Sequence, residues 1–154
     1  MKIPLKLPPP IKLCICRLNQ AAILPTRAHL GDAGLDLYGI ENISIAPGES
    51  CVIRTGIALE IPEGHVGMIA DRSSLAKKGL KTVGGIIDSG YRGEIQILVW
   101  NLAPKGVLDQ TIKLRAGDRV AQLLILPIAQ PPLIEVQSLA STPRGEGGFG
   151  STGA

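Results

Sequence analysis

Aromatic side chains make up only 3% of this chain (one Phe, one Trp and two Tyr), too few for a platform on which successive bases of a single strand would stack. No run of five or more Lys/Arg occurs and the formal net charge is only +3, so nothing marks a polyanion groove. Nucleic acid is therefore not an expected partner, whereas a small phosphorylated ligand needs only a few cations. Cysteine and histidine are scarce too. Cys14, Cys16, Cys51, His29 and His65 do not assemble a recognisable zinc site, and they read as buried free thiols and isolated imidazoles in a reducing compartment. The start, Met1 to Pro10, is basic but broken by Pro4 and Pro8-Pro9-Pro10. It offers no unbroken apolar stretch for a signal or membrane segment, so a cytoplasmic protein without a membrane partner is expected. No G-x-x-x-x-G-K-[ST] is present, which excludes a P-loop.

What is present fits one domain with a real core: 154 residues, 45% hydrophobic. Its 19 glycines and 12 prolines are spread along the chain, which favours many short strands joined by turns. Ile11, Leu13 and Ile15 alternate with Lys12, Cys14 and Cys16 as in a first strand. From Ile43 to Ile61 short strands are punctuated at Ala46-Pro47-Gly48-Glu49, and Pro62-Glu63-Gly64-His65 turns the chain into Val66 to Ala70. One short helix is expected at Leu75-Ala76-Lys77-Lys78, capped by Ser73 or Ser74 and ended by Gly79. Glu94 to Trp100 reads as a central strand, Asn101 to Lys113 as a loop and edge strand, and Arg119 to Leu126 as a buried strand carrying Gln122, which needs a partner there. Leu133 to Leu139 is a last apolar run.

Four stretches carry candidate chemistry. Gly84 to Ile95 sets Asp88 and Tyr91 in a glycine-dense turn that Ile86, Ile87, Ile95 and Ile97 can anchor, although Asp88-Ser89-Gly90 also reads as plain hairpin-tip chemistry. Arg72-Ser73-Ser74 at a helix start can cradle an anion, or simply be a solvated cation and two caps. Leu30 to Gly39 crowds Asp32 and Asp36 among three glycines. The tail after Pro143 has no apolar period, yet it holds an Arg, the only Phe, a Ser-Thr pair and five glycines, the parts needed to fold over a nucleotide. Two motif lookalikes fail on context. Gly145-Glu146-Gly147-Gly148-Phe149-Gly150 opens no helix inside a strand-helix-strand unit, and Ser74-Leu75-Ala76-Lys77 lacks the companion motifs of an acyl-enzyme.

Taken together, five stretches resemble, in order, the motifs of the homotrimeric dUTP pyrophosphatases (dUTPases): Ala33-Gly34-Leu35-Asp36-Leu37, Arg72-Ser73-Ser74-Leu75-Ala76, Gly85 to Glu94, Gly117-Asp118-Arg119-Val120-Ala121-Gln122-Leu123, and Arg144 to Gly153. They span Ala33 to Gly153, about four-fifths of the chain. The resemblance implies an all-β, jelly-roll-like subunit with one short helix, residues 1–142 forming the domain and residues 143–154 a glycine-rich lid over the nucleotide. It implies a homotrimer whose sites draw motifs from all three chains. The implied reaction is hydrolysis of dUTP to dUMP and pyrophosphate by in-line water attack on the α-phosphorus, with Mg²⁺ held mainly by the substrate phosphates and no direct protein ligand.

By the same resemblance Asp88 orients and deprotonates the water, and Tyr91 lies against the deoxyribose and excludes a 2′-hydroxyl. Arg72, Ser73, Ser74 and Gln122 hold phosphate oxygens; Arg144, Gly150, Ser151 and Thr152 clamp the β and γ end, and Phe149 stacks on uracil. The backbone around Gly85 and Ile87 reads uracil, while Asp36 supports the metal and water environment indirectly or serves the subunit interface. Arg72-Ser73-Ser74 replaces the more usual P-R-S-G and is typical of the dCTP deaminases, which makes deaminase the rival. Those enzymes carry a catalytic glutamate where alignment places Leu98, which cannot shuttle protons, and they lack the tail found here. Gly90 and Thr82 also depart from common family residues. Proteins of this fold also bind partners as regulators, a non-enzymatic alternative.

Overall fold

The structure, a computed structural model, describes residues 11–104 and 110–146. Period-two alternation dictates its clearest strand, β8 (Glu94–Asn101), where Ile95, Ile97 and Val99 are buried and Gln96, Leu98 and Trp100 face out. It lies antiparallel to β4 (Ser50–Glu60) and β6 (Leu80–Thr82), and β1 (Cys14–Arg17) completes a sheet of order β1-β4-β8-β6. The register of β4 against β8 shifts between Arg54 and Ala58. Gly56 lies in that shift at φ 67°, and a Cβ there would come within 3.0 Å of the Ala22 and Asn19 side chains. Only glycine satisfies both conditions.

A second antiparallel sheet has the order β2-β10-β5-β7, formed by β2 (Leu35–Tyr38), β10 (Arg119–Pro127), β5 (His65–Ala70) and β7 (Ile86–Ile87). A third, two-stranded sheet pairs β3 (Ile43–Ile45) with β9 (Ile112–Leu114). One hydrophobic cluster joins Ile53, Ile57, Ile95 and Ile97 of the first sheet to Leu37, Ile69 and Leu123 of the second, so the core lies between them. Fully buried Asn101 is satisfied on both sides of its amide. Its Nδ2 donates to the carbonyls of Ile45 (3.0 Å) and Gln110 (2.9 Å), and its Oδ1 accepts from the N–H of Ala103 (3.1 Å). The architecture is the expected all-β, jelly-roll-like one, with a single short helix, α1 (Ser73–Ala76), among the described residues. No helix there is long and apolar enough to cross a membrane.

Several local expectations need correction. Cys14 and Cys16 are exposed and Cys51 is half-buried, because edge strand β1 turns Ile15 toward the core and both thiols away from it. The segment from Ile43 to Ile61 is broken at Ala46 to Glu49 as expected, but only β3 before the break is short, and β4 after it runs for 11 residues. Neither serine caps α1. Arg72 is the N-cap residue and no side-chain cap bond forms, while Gly79, at φ 87°, ends the helical turn as expected. The apolar run at Leu133 to Leu139 forms no strand and stays exposed, Leu133 at 99%.

Candidate active site

The turn from Gly84 to Ile95 is not the tip of a hairpin. Its first arm, β7, pairs with β5 in one sheet, and its second arm, β8, belongs to the other, so the turn carries the chain between sheets. Gly84 (φ 73°) and Gly85 (φ 101°) supply the backbone angles that this crossing needs, whereas Gly90 and Gly93 do not take positive φ. Gly85 is pressed onto β5: its carbonyl accepts the Ile69 N–H at 2.8 Å, and a Cβ on it would lie 2.8 Å from the Ile69 Cβ. Ile87, Ile95 and Ile97 anchor the arms, but Ile86 is 63% exposed because the pleat turns it outward.

Beyond Ile87 a tight turn closes with the Tyr91 N–H donating to the Asp88 carbonyl at 3.1 Å, leaving the Asp88 side chain exposed with no partner among the described residues. The Tyr91 ring lies over Gly93, where a Cβ would come within 2.3 Å of the phenol oxygen, and its hydroxyl donates to the Glu94 carbonyl at 3.1 Å. Gly93 is glycine for this reason. Glu94 fixes the turn to the register shift of β4, accepting from Arg54 Nε (3.0 Å) and from the Gly56 N–H (2.8 Å). Arg92 donates to the carbonyls of Ser89 (2.6 Å) and Tyr91 (2.9 Å). Ile86, Ile87, Asp88, Tyr91, Glu94 and Gln96 line a cavity of about 150 Å³.

A second cluster forms where β2, β10 and the exit of β5 meet. Asp36 is opposite Gln122 on β10, and Gln122 is opposite Ala70 on β5, two residues before Arg72. Asp36 is 6% exposed, and each of its oxygens faces a guanidinium: Oδ1 accepts from Arg72 Nε at 2.9 Å and Oδ2 from Arg119 Nη1 at 3.3 Å. Arg72 is thus a paired, largely buried cation rather than a solvated one. Beside it the N–H groups of Ser73 and Ser74 have no hydrogen-bond acceptor among the described residues, as the first donors of a helix do not within the helix itself. Gln122 is half-buried and its amide has no hydrogen-bond partner among the described residues. It packs on Gly34, where a Cβ would lie 2.6 Å from its Oε1. Arg72 and Arg119 face a cleft of about 780 Å³ with Lys77, Lys78 and Lys113.

Two contributors were not singled out from sequence. Arg119 reaches Asp36 only because β10 slips against β2 between Arg119 and Ala121, so Arg119 opposes Tyr38 while Val120 is 1% exposed in the core. Asp71 braces the segment that leads into the Gly84–Ile95 turn: its Oδ1 accepts from the Thr82 N–H (2.7 Å) and hydroxyl (2.6 Å), and Lys81 pairs with Oδ2. Burial pushes the Asp71 carboxyl up, but the hydrogen bonds from Lys81 and Thr82 and the Lys81 charge outweigh it and hold it below the usual carboxylate range. The Thr82 hydroxyl, committed to Asp71, is oriented by the protein. Arg144 lies in an exposed turn closed by the Gly145 N–H on the Thr142 carbonyl (3.0 Å), and Phe149, Gly150, Ser151 and Thr152 lie outside the described residues.

Fold and site define a class: an antiparallel β protein with a cationic, phosphate-suited cluster and, in a separate cavity, a solvent-facing carboxylate beside a tyrosine. The dUTPase family profile matches residues 20–153. The deoxyuridine 5′-triphosphate nucleotidohydrolase of Mycolicibacterium vanbaalenii is 47% identical over 152 residues, covering 94% of this chain and 96% of the relative. That of Mycobacterium leprae is 46% identical over 149 residues, covering 92% and 94%. The Staphylococcus bacteriophage 80alpha dUTPase with dUpNHpp superposes with a TM-score of 0.88 at 33% identity, covering 93% of this chain and 99% of that one. A mutant dUTPase of phage phi11 of S. aureus, solved to show coordination of a structural Mg(II) ion, gives 0.80 at 32% identity, covering 85% and 100%. The chain belongs to the dUTPase family.

Proposed function

We propose that the chain hydrolyses dUTP to dUMP and pyrophosphate at sites shared between three copies, working in the cytoplasm. The observation that carries this reading is the division of labour between two cavities. Arg72 lines the cationic cleft, while Asp88 and Tyr91 line the other cavity. A nucleotide needs base, sugar and phosphates held at once, and a homotrimer that sets the turn of one copy against the cationic cluster of the next meets that need.

In the resulting mechanism the backbone around Gly85 and Ile87 reads uracil, held rigid by its contact with Ile69. Tyr91, seated over Gly93, lies against the deoxyribose where a 2′-hydroxyl would clash. Arg72, the free N–H groups and hydroxyls of Ser73 and Ser74, and the unpartnered Gln122 amide bind phosphate oxygens and stabilise charge as it develops. Exposed Asp88 accepts a proton from the water as its oxygen bonds to the α-phosphorus and the bond to the bridging oxygen breaks, releasing pyrophosphate. Residues 143–154 close over the nucleotide, with Arg144, Gly150, Ser151 and Thr152 on the phosphates and Phe149 on the base.

The donor set fits Mg²⁺ carried by the substrate phosphates, since the one buried carboxylate of the cationic cluster, Asp36, already faces a guanidinium with each oxygen. Bound there, the ion would supply charge neutralisation on the triphosphate, and Asp36 would act on it only through its surroundings. Pyrophosphate release from dUTP, dCTP, UTP and dTTP with Mg²⁺ tests the function. Release from dUTP alone supports it, ammonia from dCTP indicates a deaminase, and no turnover indicates a binding module. Light scattering of the purified protein tests the trimer.

A further inference from the structure

We propose that Arg119 is a positioning residue for the triphosphate: it holds the charge of buried Asp36 so that Arg72 is free to turn toward the phosphates. The inference rests on the reading above, in which Arg72 is a phosphate ligand. As the structure stands, Arg72 is committed to the protein. Its Nε is spent on Asp36 Oδ1 at 2.9 Å, and its Nη1 donates to the Arg119 carbonyl at 3.5 Å. A phosphate group entering the cleft shares that guanidinium with Asp36, and Arg72 can turn its full fork onto the phosphates only by giving up the Nε bond to Asp36.

If Arg72 were the only cation on Asp36, its departure would strand a carboxylate that is 6% exposed, which is strongly unfavourable and would oppose ligand binding. Arg119 removes that obstacle. Its Nη1 lies 3.3 Å from the other carboxylate oxygen, and its backbone is fixed in β10 opposite Tyr38, on the same face of the sheet as Asp36. It faces the cleft that Arg72 would turn into, lined also by Lys77, Lys78 and Lys113. Asp36 thus has two cations so that one can be lent to the substrate.

The test compares dissociation constants for dUpNHpp, which carries the phosphates, and deoxyuridine, which does not, each measured by competition with dUTP turnover. In Arg119→Gln, dUpNHpp binds about tenfold more weakly while deoxyuridine changes less than about twofold. Adding Asp36→Asn to that variant removes the stranded charge and returns dUpNHpp to within about threefold of the parent. Arg119→Lys keeps a cation at the same oxygen and stays within about threefold of the parent, a measurement that stands even if Arg119→Gln does not fold. Equal weakening of both ligands, an unchanged dUpNHpp constant in Arg119→Gln, no recovery in the double variant, or a loss above about tenfold in Arg119→Lys overturns the proposal. A parent protein that does not bind dUpNHpp at all overturns the functional reading itself, and the inference with it.

Discussion

Gly85→Ala is the perturbation whose cost can be worked most directly from the structure. Gly85 sits at φ 101°, where an L side chain is strained, and its Cβ would stand 2.8 Å from the Ile69 Cβ and 3.3 Å from the Ile69 carbonyl oxygen. The backbone strain costs about 1–3 kcal/mol, and forcing a methyl against a β-branched core residue adds about 1–3 kcal/mol. The neighbour cannot yield cheaply, because the clash is with Cβ rather than with the end of a flexible side chain. A total of about 2–6 kcal/mol is a large share of the ~5–15 kcal/mol stability of an ordinary domain.

Two internal controls separate the terms. Gly84→Ala has φ 73° and nothing within 4 Å, so it carries strain alone, about 1 kcal/mol. Gly90→Ala has open space and no positive φ, so it changes stability by less than about 0.5 kcal/mol. Urea unfolding of all three variants at one protein concentration should rank them Gly90, Gly84, Gly85 in rising loss, with the Gly85 midpoint lowered by about 1–2 M. The KM for dUTP should rise most in Gly85→Ala, because the same contact sets the backbone that is proposed to read the base. A Gly85→Ala protein no less stable than Gly90→Ala would refute the packing argument.

Asp88→Asn should abolish dUTP turnover while nucleotide binding persists; near-normal turnover means that another group takes the proton. Gly93→Ala should push the Tyr91 ring off its seat and raise UTP hydrolysis relative to dUTP, and an unchanged ratio means that Tyr91 does not gate the sugar. The lowered Asp71 carboxyl contributes stability that is present above the usual carboxylate range and lost as pH falls through its folded value. Asp71→Asn should therefore be less stable than the parent near neutral pH and converge with it below about pH 4, whereas a constant gap down to strong acid contradicts the linkage. Truncation after Pro143 should leave a folded protein with little activity, and full activity would remove the lid from the mechanism.

By itself the sequence determined the fold class and the identity of most candidate groups. Period-two alternation at Ile95, Ile97 and Val99, and glycines and prolines dispersed as turn residues, leave few options besides antiparallel strands, since these signals are local. The motif residues were legible only jointly: the neighbours of Asp88 and of Arg72 also fit a plain turn and a solvated cation, and it was the five stretches in order from Ala33 to Gly153 that singled them out. Tertiary structure alone decided how those groups are held. That β7 and β8 belong to different sheets follows from their pairing with β5 and β4, which no local pattern encodes. The one-residue slip of β10 against β2 reverses which face Arg119 occupies, and only that slip places a second cation on Asp36. The separation of Asp88 from Arg72 into two cavities is likewise a matter of three-dimensional packing, because residues 16 apart in sequence can lie on either side of a sheet.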